Sequence, residues 1–261
     1  MSVNGIAIFC RDVPRSAAFY GQYLGATVVG ESEDVTTLGL NGPGQIQLIQ
    51  LPAGDWSTAE TDDGRDGFWH IGVRVDNFEA LSEALRASDT RFFIEPVYNP
   101  VAKVWCAFFY DPDGTVIELV SGEQQYSQLF DKAAARRRAE MSLDGGPLFE
   151  HVAFTTPDWS ATRIKWEAAG YSLIGCLDLS AGDPRGMCIY YVIAQSGLIV
   201  EVFTYTSPTN QPLGSEVRAG FAGLLATPST QEALGLSLVD KLADGRARWL
   251  DGSGLAVIDA P

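Results

Sequence analysis

The sequence predicts an α+β fold built from tandem βαβββ modules with flanking helices, and three observations carry that prediction. One order of segments (apolar run, helix cap, helical stripe, three strand-like runs) returns along the 261 residues. Each helix cap follows the same strand position by seven residues: Gly5 to Asp12, His70 to Asn77 and His151 to Asp158. The chain's two histidines, His70 and His151, both stand at that position, and each is answered by a glutamate in its module's last strand.

Module one opens with the apolar run GIAIFCR, which ends at Asp12, a good N-cap. Pro14 suits the first turn of the helix RSAAFYGQYLG, whose Ala18, Tyr20 and Leu24 form an apolar stripe stopping at Gly25. The strands ATVVGE, VTTLGL and, after the turn NGPG, QIQLIQL follow. Module two repeats the order with HIGVRVD, the helix FEALSEALRAS, RFFIEPVY, VWCAFFYD, the turn DPDG and TVIELV. Module three has HVAFTTP, the helix WSATRIKWEAAG, YSLIGCLDL, GMCIYYVIA and LIVEVFTY.

A shorter C-terminal stretch reads as a degenerate fourth module or as a helix and hairpin. There Ser229, seven residues after Ala222, caps the predicted helix TQEALGLSLVDKLADG, and RARWLD and GLAVIDA follow. Ser253-Gly254-Leu255 also echoes Ser196-Gly197-Leu198. Between modules two and three, Tyr126, Leu129, Phe130 and Ala133 suggest one amphipathic helix of roughly 17 residues, about 25 Å long. Its Arg136–Arg138 run would lie on the wet side. The expected division is therefore residues 1–122 for two modules, 123–146 for a helical linker and 147–261 for the rest.

Hydrophobic residues make up 46% and charged residues 20%, the balance of a globular chain with a sizeable core. A net charge of −15 argues against nucleic acid and against a polybasic membrane contact. No apolar run reaches the ~18 residues of a membrane helix, and the N-terminus does not read as a signal peptide. Cys10, Cys106, Cys176 and Cys188 form no C-x-x-C pair and read as reduced thiols of a cytoplasmic protein.

Glu118 follows His70 by 48 residues and Glu201 follows His151 by 50, each four residues after a turn glycine, Gly114 or Gly197. Strand alternation puts Ile117 and Leu119 on the face opposite Glu118. One buried histidine is usually a core residue. Two His and two Glu in one repeat register point instead to a metal, because imidazole and carboxylate together suit Zn²⁺, Fe²⁺, Mn²⁺, Co²⁺ or Ni²⁺.

HIGVRVDNFEAL with FFYDPDGTVIELV resembles the signature of the vicinal oxygen chelate superfamily, which includes glyoxalase I, extradiol dioxygenases, certain epimerases and bleomycin-resistance proteins. GIAIFCRDVPRSAAFYGQYLGATVV and EHVAFTTPDW with LIVEVF extend the resemblance over residues 3–206. It implies that two modules pair into a cup-shaped mixed β-barrel, with ligands from their first and last strands. By position the ligands of one divalent ion are His70, Glu118, His151 and Glu201. Module one departs from the pattern, with Gly5 for His and Gln47 near the Glu position, and module four offers Ala222 and Ile258. If neighbours pair, one with two and three with four, each cup holds one His and one Glu. If modules two and three pair, as fused members resembling glyoxalase I do, a single cup receives all four, and the crossed pairing is preferred.

The resemblance implies an isomerase, epimerase or lyase acting on a small substrate with vicinal oxygens, such as a hydroxy-ketone or keto-sugar. Glu201 or Glu118 would shuttle the proton. An extradiol-type dioxygenase needs only two His and one carboxylate, which leaves one Glu surplus. A metal-free binding or resistance protein is the third reading. Arg74 shares a strand face with His70 and is expected to meet an anionic group, while Trp105, Tyr110 and Tyr191, with Phe109 and Tyr190, are expected along the pocket. No basic cluster suits the carboxylates of glutathione or the phosphates of coenzyme A. A homodimer is the family's usual assembly.

Overall fold

A computed structural model describes residues 3–259 except 60, 215, 243, 244 and 253. Module one comprises β1 (Val3–Cys10), α1 (Val13–Leu24), β2 (Thr27–Glu31), β3 (Val35–Gly39) and β4 (Gln45–Gln50). Module two comprises β5 (Gly67–Arg74), α2 (Phe78–Ala87), β6 (Phe92–Asn99), β7 (Val104–Tyr110) and β8 (Val116–Ser121). A connection with β9 (Gln128–Leu129) and α3 (Lys132–Ala139) leads to module three: β10 (Leu148–Thr155), α4 (Trp159–Ala168), β11 (Ser172–Asp178), β12 (Cys188–Ile193) and β13 (Ile199–Thr204). Module four is β14 (Gly220–Ala226), α5 (Pro228–Leu234), β15 (Ser237–Lys241), β16 (Ala247–Leu250) and β17 (Ala256–Asp259).

The helix starts follow local chemistry. Asp12 accepts from Arg15 N and Asp158 from Ala161 N, while Gly25 ends α1 in the left-handed region at φ 66°. The fourth helix departs from expectation. Its N-cap is Thr227 rather than Ser229, because Pro228 fits the first helical turn, and Gly235 at φ 67° stops it after Leu234. SLVDK then forms β15, so module four keeps all its strands. Ser253 of the echoed phrase lies outside the described residues. The long linker helix also gives way: Gln128–Leu129 pairs with β11, and Asp131 caps an eight-residue α3.

The strands form two mixed sheets whose pairing is crossed. Modules two and three, with β9 of their connection, form nine strands in the order β6-β7-β8-β5-β10-β13-β12-β11-β9, and modules one and four share eight, β15-β16-β17-β14-β1-β4-β3-β2. Neither order returns on itself, so the described strands form two open sheets rather than the closed barrels expected. β6 and β11, from opposite wings of the nine-stranded sheet, nevertheless line one cavity, so that sheet curls around it.

The register assigns equivalent positions. His70 faces Ala153 and His151 faces Gly72, each two residues past its counterpart. Gly5 faces Leu225, which makes Gly223 rather than Ala222 the counterpart in module four. In the parallel pairs, Glu118 and Glu201 lie beside Gly72 and Ala153, and Gln47 and Ile258 lie beside Ala7 and Leu225. The second pair of modules thus presents Gly5, Gln47, Gly223 and Ile258, with no ligand set. Its inner face is filled by Phe9, Ile49, Leu51, Leu225 and Ile258, and Gln47 bonds Arg246.

Each opening strand carries a β-bulge one residue before this position, at Asn4, Trp69, Glu150 and Ala222. A bulge places two consecutive side chains against one partner residue and re-aims them. The strands also begin three residues before His70 and His151, not at them. The core between the sheets takes the other face: Ile6 and Ile8 from β1, Ile71 and Val73 from β5, Ile117 and Leu119 from β8.

The DPDG turn holds the two sheets together rather than reaching the histidines. Asp111 accepts from Tyr20 OH at 2.8 Å, and Asp113 accepts from Ser16 Oγ at 2.5 Å and Arg11 N at 2.9 Å. These bonds tie α1 of module one, and Arg11 just before it, to the β7–β8 turn of module two. Hydrogen bonds to charged groups of this kind contribute about 1.5–3 kcal/mol each.

Candidate metal centre

The bulges and the crossed pairing bring His70, Glu118, His151 and Glu201 together, with one ligand atom from each lying within 4.8 Å of the others. The two imidazole Nε2 atoms are 3.1 Å apart. Glu118 Oε2 lies 3.3 Å from His70 Nε2 and 3.0 Å from His151 Nε2, and Glu201 Oε2 lies at 3.9 Å and 3.7 Å from them. All four residues are buried.

The 3.0–3.3 Å separations among His70, His151 and Glu118 fit a shared ion, and Glu201 at 3.7–3.9 Å stands wider. Donors each about 2.1 Å from one centre stand about 3.0 Å apart at a right angle and about 3.4 Å apart at the tetrahedral angle. Two carboxylates converging on two imidazoles in a buried spot are also a donor set that a divalent cation neutralises.

Charge in the metal-free cluster is distributed unevenly. Burial opposes ionisation of Glu118, but hydrogen bonds with His151 and His70 outweigh it and hold its pKa at about 2. Burial raises Glu201 to about 7 despite the pull of His151. Burial also opposes charge on His151, yet Glu201, Glu118 and Glu150 together raise it to about 10. His70 is driven down to about 4, chiefly by burial.

Glu150 is a site residue that repeat logic passes over. The bulge turns its fully buried carboxylate to the His151 side, with Oε2 3.4 Å from His151 Nδ1 and 2.8 Å from Arg138 Nη2. Arg74 Nε stands 3.4 Å from Oε1, and Arg74 Nη2 donates to Met141 O at 2.5 Å. Arg74, expected to point into the cup and bind substrate, is instead engaged by the chain's own Glu150 and does not line the cavity that Glu118 and Glu201 reach. Arg138, expected on a wet helix face, is buried because the short α3 turns Ala134 and Arg138 inward together. A carboxylate behind an imidazole fixes the tautomer with Nδ1–H outward and Nε2 free to ligate.

The equivalent bulge residue in module two is Trp69, and His70 Nδ1 has no hydrogen-bond partner among the described residues. The two modules thus offer matching ligands with unequal backing. Glu150→Gln is expected to weaken metal affinity about 10–100-fold, read by chelator competition, with circular dichroism reporting the fold. Unchanged affinity would reduce Glu150 to a partner of the arginines. Gly72 is a second missed residue, since a β-carbon there would overlap the His151 ring. Gly72→Ala is expected to displace that ring and weaken metal affinity at least as much in the same assay.

Glu118 and Glu201 of the cluster reach the floor of a cavity of about 280 Å³, which Tyr191 also lines. Cys106 and Phe108 line it from β7, so Trp105 points to the other face, where it is 48% exposed and packs on Phe78 and Tyr98. Tyr110 lies beyond the lining, with the Arg91 guanidinium 3.7 Å from its ring centroid. Phe109 is in the inter-sheet core and Tyr190 stacks on Trp159. Of the expected pocket aromatics, only Tyr191 lines the cavity.

A family model described as the Glyoxalase/Bleomycin resistance protein/Dioxygenase superfamily matches residues 2–119. These are modules one and two, which the fold divides between its sheets. Over 124 residues the chain is 27% identical to a "Probable lactoylglutathione lyase" of Vibrio cholerae, covering 45% of this chain and 88% of that protein. Over 125 residues it is 30% identical to the "Uncharacterized protein YwkD" of Bacillus subtilis, covering 45% of this chain and 94% of that protein. The whole fold is similar to glyoxalase I from Zea mays, with a TM-score of 0.67 at 16% identity over 98% of this chain and 92% of that one. At that identity the likeness is one of fold. Among the described residues, no helix is long and apolar enough to cross a membrane.

Proposed function

Because the chain belongs to the glyoxalase/bleomycin resistance protein/dioxygenase superfamily, we propose that it is a metal-dependent lyase or isomerase moving a proton between neighbouring atoms of a small substrate with vicinal oxygens. The observation that carries this reading is the convergence of His70, Glu118, His151 and Glu201, two of which, Glu118 and Glu201, reach the floor of one cavity. His70, Glu118, His151 and Glu201 would hold a divalent ion, which would supply Lewis-acid polarisation to the substrate.

The protein's own part is proton transfer. Glu118, within 3.3 Å of both imidazoles, is the pinned carboxylate, and Glu201, at 3.7 Å and 3.9 Å, is the looser one. Glu201 takes the proton from the carbon beside the carbonyl and returns it to the neighbouring position. The apolar wall above it keeps water from competing.

A ring-opening dioxygenase would use two histidines and one carboxylate, leaving a Glu without a task. With only two histidines in the chain, it would also have no further imidazole for acid–base work.

The test is solvent-deuterium exchange at the carbon next to the carbonyl of 2-hydroxyacetophenone, run beside metal analysis of untagged protein. Exchange that depends on about one ion per chain supports the reading. No exchange with the ion present overturns it, and oxygen consumption with catechol would favour ring opening.

A further inference from the structure

The cavity above the cluster is small and mostly apolar. Its volume of about 280 Å³ falls just under the range of ~300–1,000 Å³ typical for drug-sized ligands, and holds roughly nine waters at about 30 Å³ each. Beyond Glu118 and Glu201 the wall is largely apolar, with Trp69, Val104, Phe108, Leu177, Ile189 and Phe203 prominent.

Several polar groups on the wall are already engaged, although Trp69 Nε1 has no hydrogen-bond partner among the described residues. Asn99 Oδ1 accepts from the backbone N–H groups of Val101 and Ala102, and Gln124 Oε1 accepts from Arg138 Nη2. Arg185 is the one cation among the described lining residues. Its guanidinium lies 2.7 Å from carboxylate oxygens of both Asp63 and Asp183, and 4.6 Å from the centre of the Tyr205 ring.

From this lining we infer that the substrate is a compact carbonyl compound whose vicinal oxygens are carried on an apolar, aromatic or branched aliphatic body, rather than a ketose or a glutathione adduct. The inference rests on the metal-dependent reading above and adds the substrate class. A ketose would bury several hydroxyls against carbon, and each unpaired hydroxyl costs binding. A tripeptide adduct brings two carboxylates and an ammonium, for which the wall offers one cation already held by two aspartates. An apolar body instead buries its surface against the aromatic wall and directs its oxygens to the floor.

The test holds the chelating head constant and varies the body. Calorimetry on metal-loaded protein compares acetohydroxamate, benzohydroxamate, gluconohydroxamate and a glutathione S-conjugate bearing the same hydroxamate. Benzohydroxamate is expected to bind at least tenfold more tightly than each of the others. A sugar or glutathione probe that binds as tightly overturns the inference, and so does undetectable benzohydroxamate binding to protein carrying its ion. Repeating the series on metal-free protein separates the two claims. If acetohydroxamate affinity does not depend on the ion, the metal-dependent reading fails, while the order of the four bodies still decides the substrate class.

Discussion

Replacing His151 with alanine is expected to reduce metal content from about one ion per chain to near zero, with affinity falling on the order of 10³-fold or more. Its Nε2 lies 3.0–3.7 Å from the other three donors, and its Nδ1 is the one backed by a buried carboxylate. Loss of outer support alone costs about 10–100-fold, so loss of the ligand itself should exceed that range. Mass spectrometry of untagged protein with chelator competition reads the outcome. Stoichiometric metal retained in the variant would place the ion elsewhere.

The same residue sets a pH dependence. Three carboxylates raise the pKa of metal-free His151 to about 10, so at neutral pH the imidazole is charged and metal uptake must expel its proton. Apparent metal affinity should rise about tenfold per pH unit between roughly pH 7 and 9, with proton release seen by calorimetry in two buffers. The sign for folding is the reverse. A raised imidazole pKa stabilises the metal-free fold fully below pH ~6.5, and that contribution is lost as pH rises through about 10. Affinity that is flat across this range would mean that the proton is not on His151.

What was legible in the residues and what was not follows from how each feature is encoded. His70, Glu118, His151 and Glu201 recur at equal strand positions, so repeat spacing alone picks them out, and the absence of ligands in modules one and four points to crossed pairing. Register within a strand is less visible. Ala222 and Gly223 are both small, and only the bulge at Ala222 shows that Gly223 is the true counterpart. Glu150 left a trace in the FEH triplet, where two adjacent polar residues interrupt a strand buried along its whole length. That pattern breaks period-two alternation and is what a bulge produces.

The aromatic expectations failed on strand face. Nothing local in VWCAFFY says which set of side chains points inward until Phe108 is paired with Glu118 across β7 and β8. Trp105 then falls outward by parity, and Tyr110 runs past the cavity's end. The linker helix failed because Gln128 and Leu129 gain backbone partners on the edge of β11, a tertiary reward that no helical stripe reveals. Closure of the sheets into barrels is likewise a matter of long-range edge pairing, which local patterns do not report.

Replacing Glu201 with glutamine is expected to lower turnover by about 10²–10⁴-fold while the ion is retained. The substitution keeps the shape and one oxygen but removes the ability to carry a proton. Glu118 cannot readily take over. In the metal-free cluster, hydrogen bonds with the two imidazoles lower the pKa of Glu118, whereas burial raises that of Glu201. Geometry agrees, since Glu201 stands farther from both His Nε2 atoms and can move toward substrate at less cost. Glu118→Gln should therefore act mainly on metal affinity, and Glu201→Gln mainly on kcat. Measuring kcat and metal content on both variants separates the two roles. Turnover unchanged in Glu201→Gln would remove it as the proton carrier, and a kcat loss confined to Glu118→Gln at full metal occupancy would exchange the two assignments.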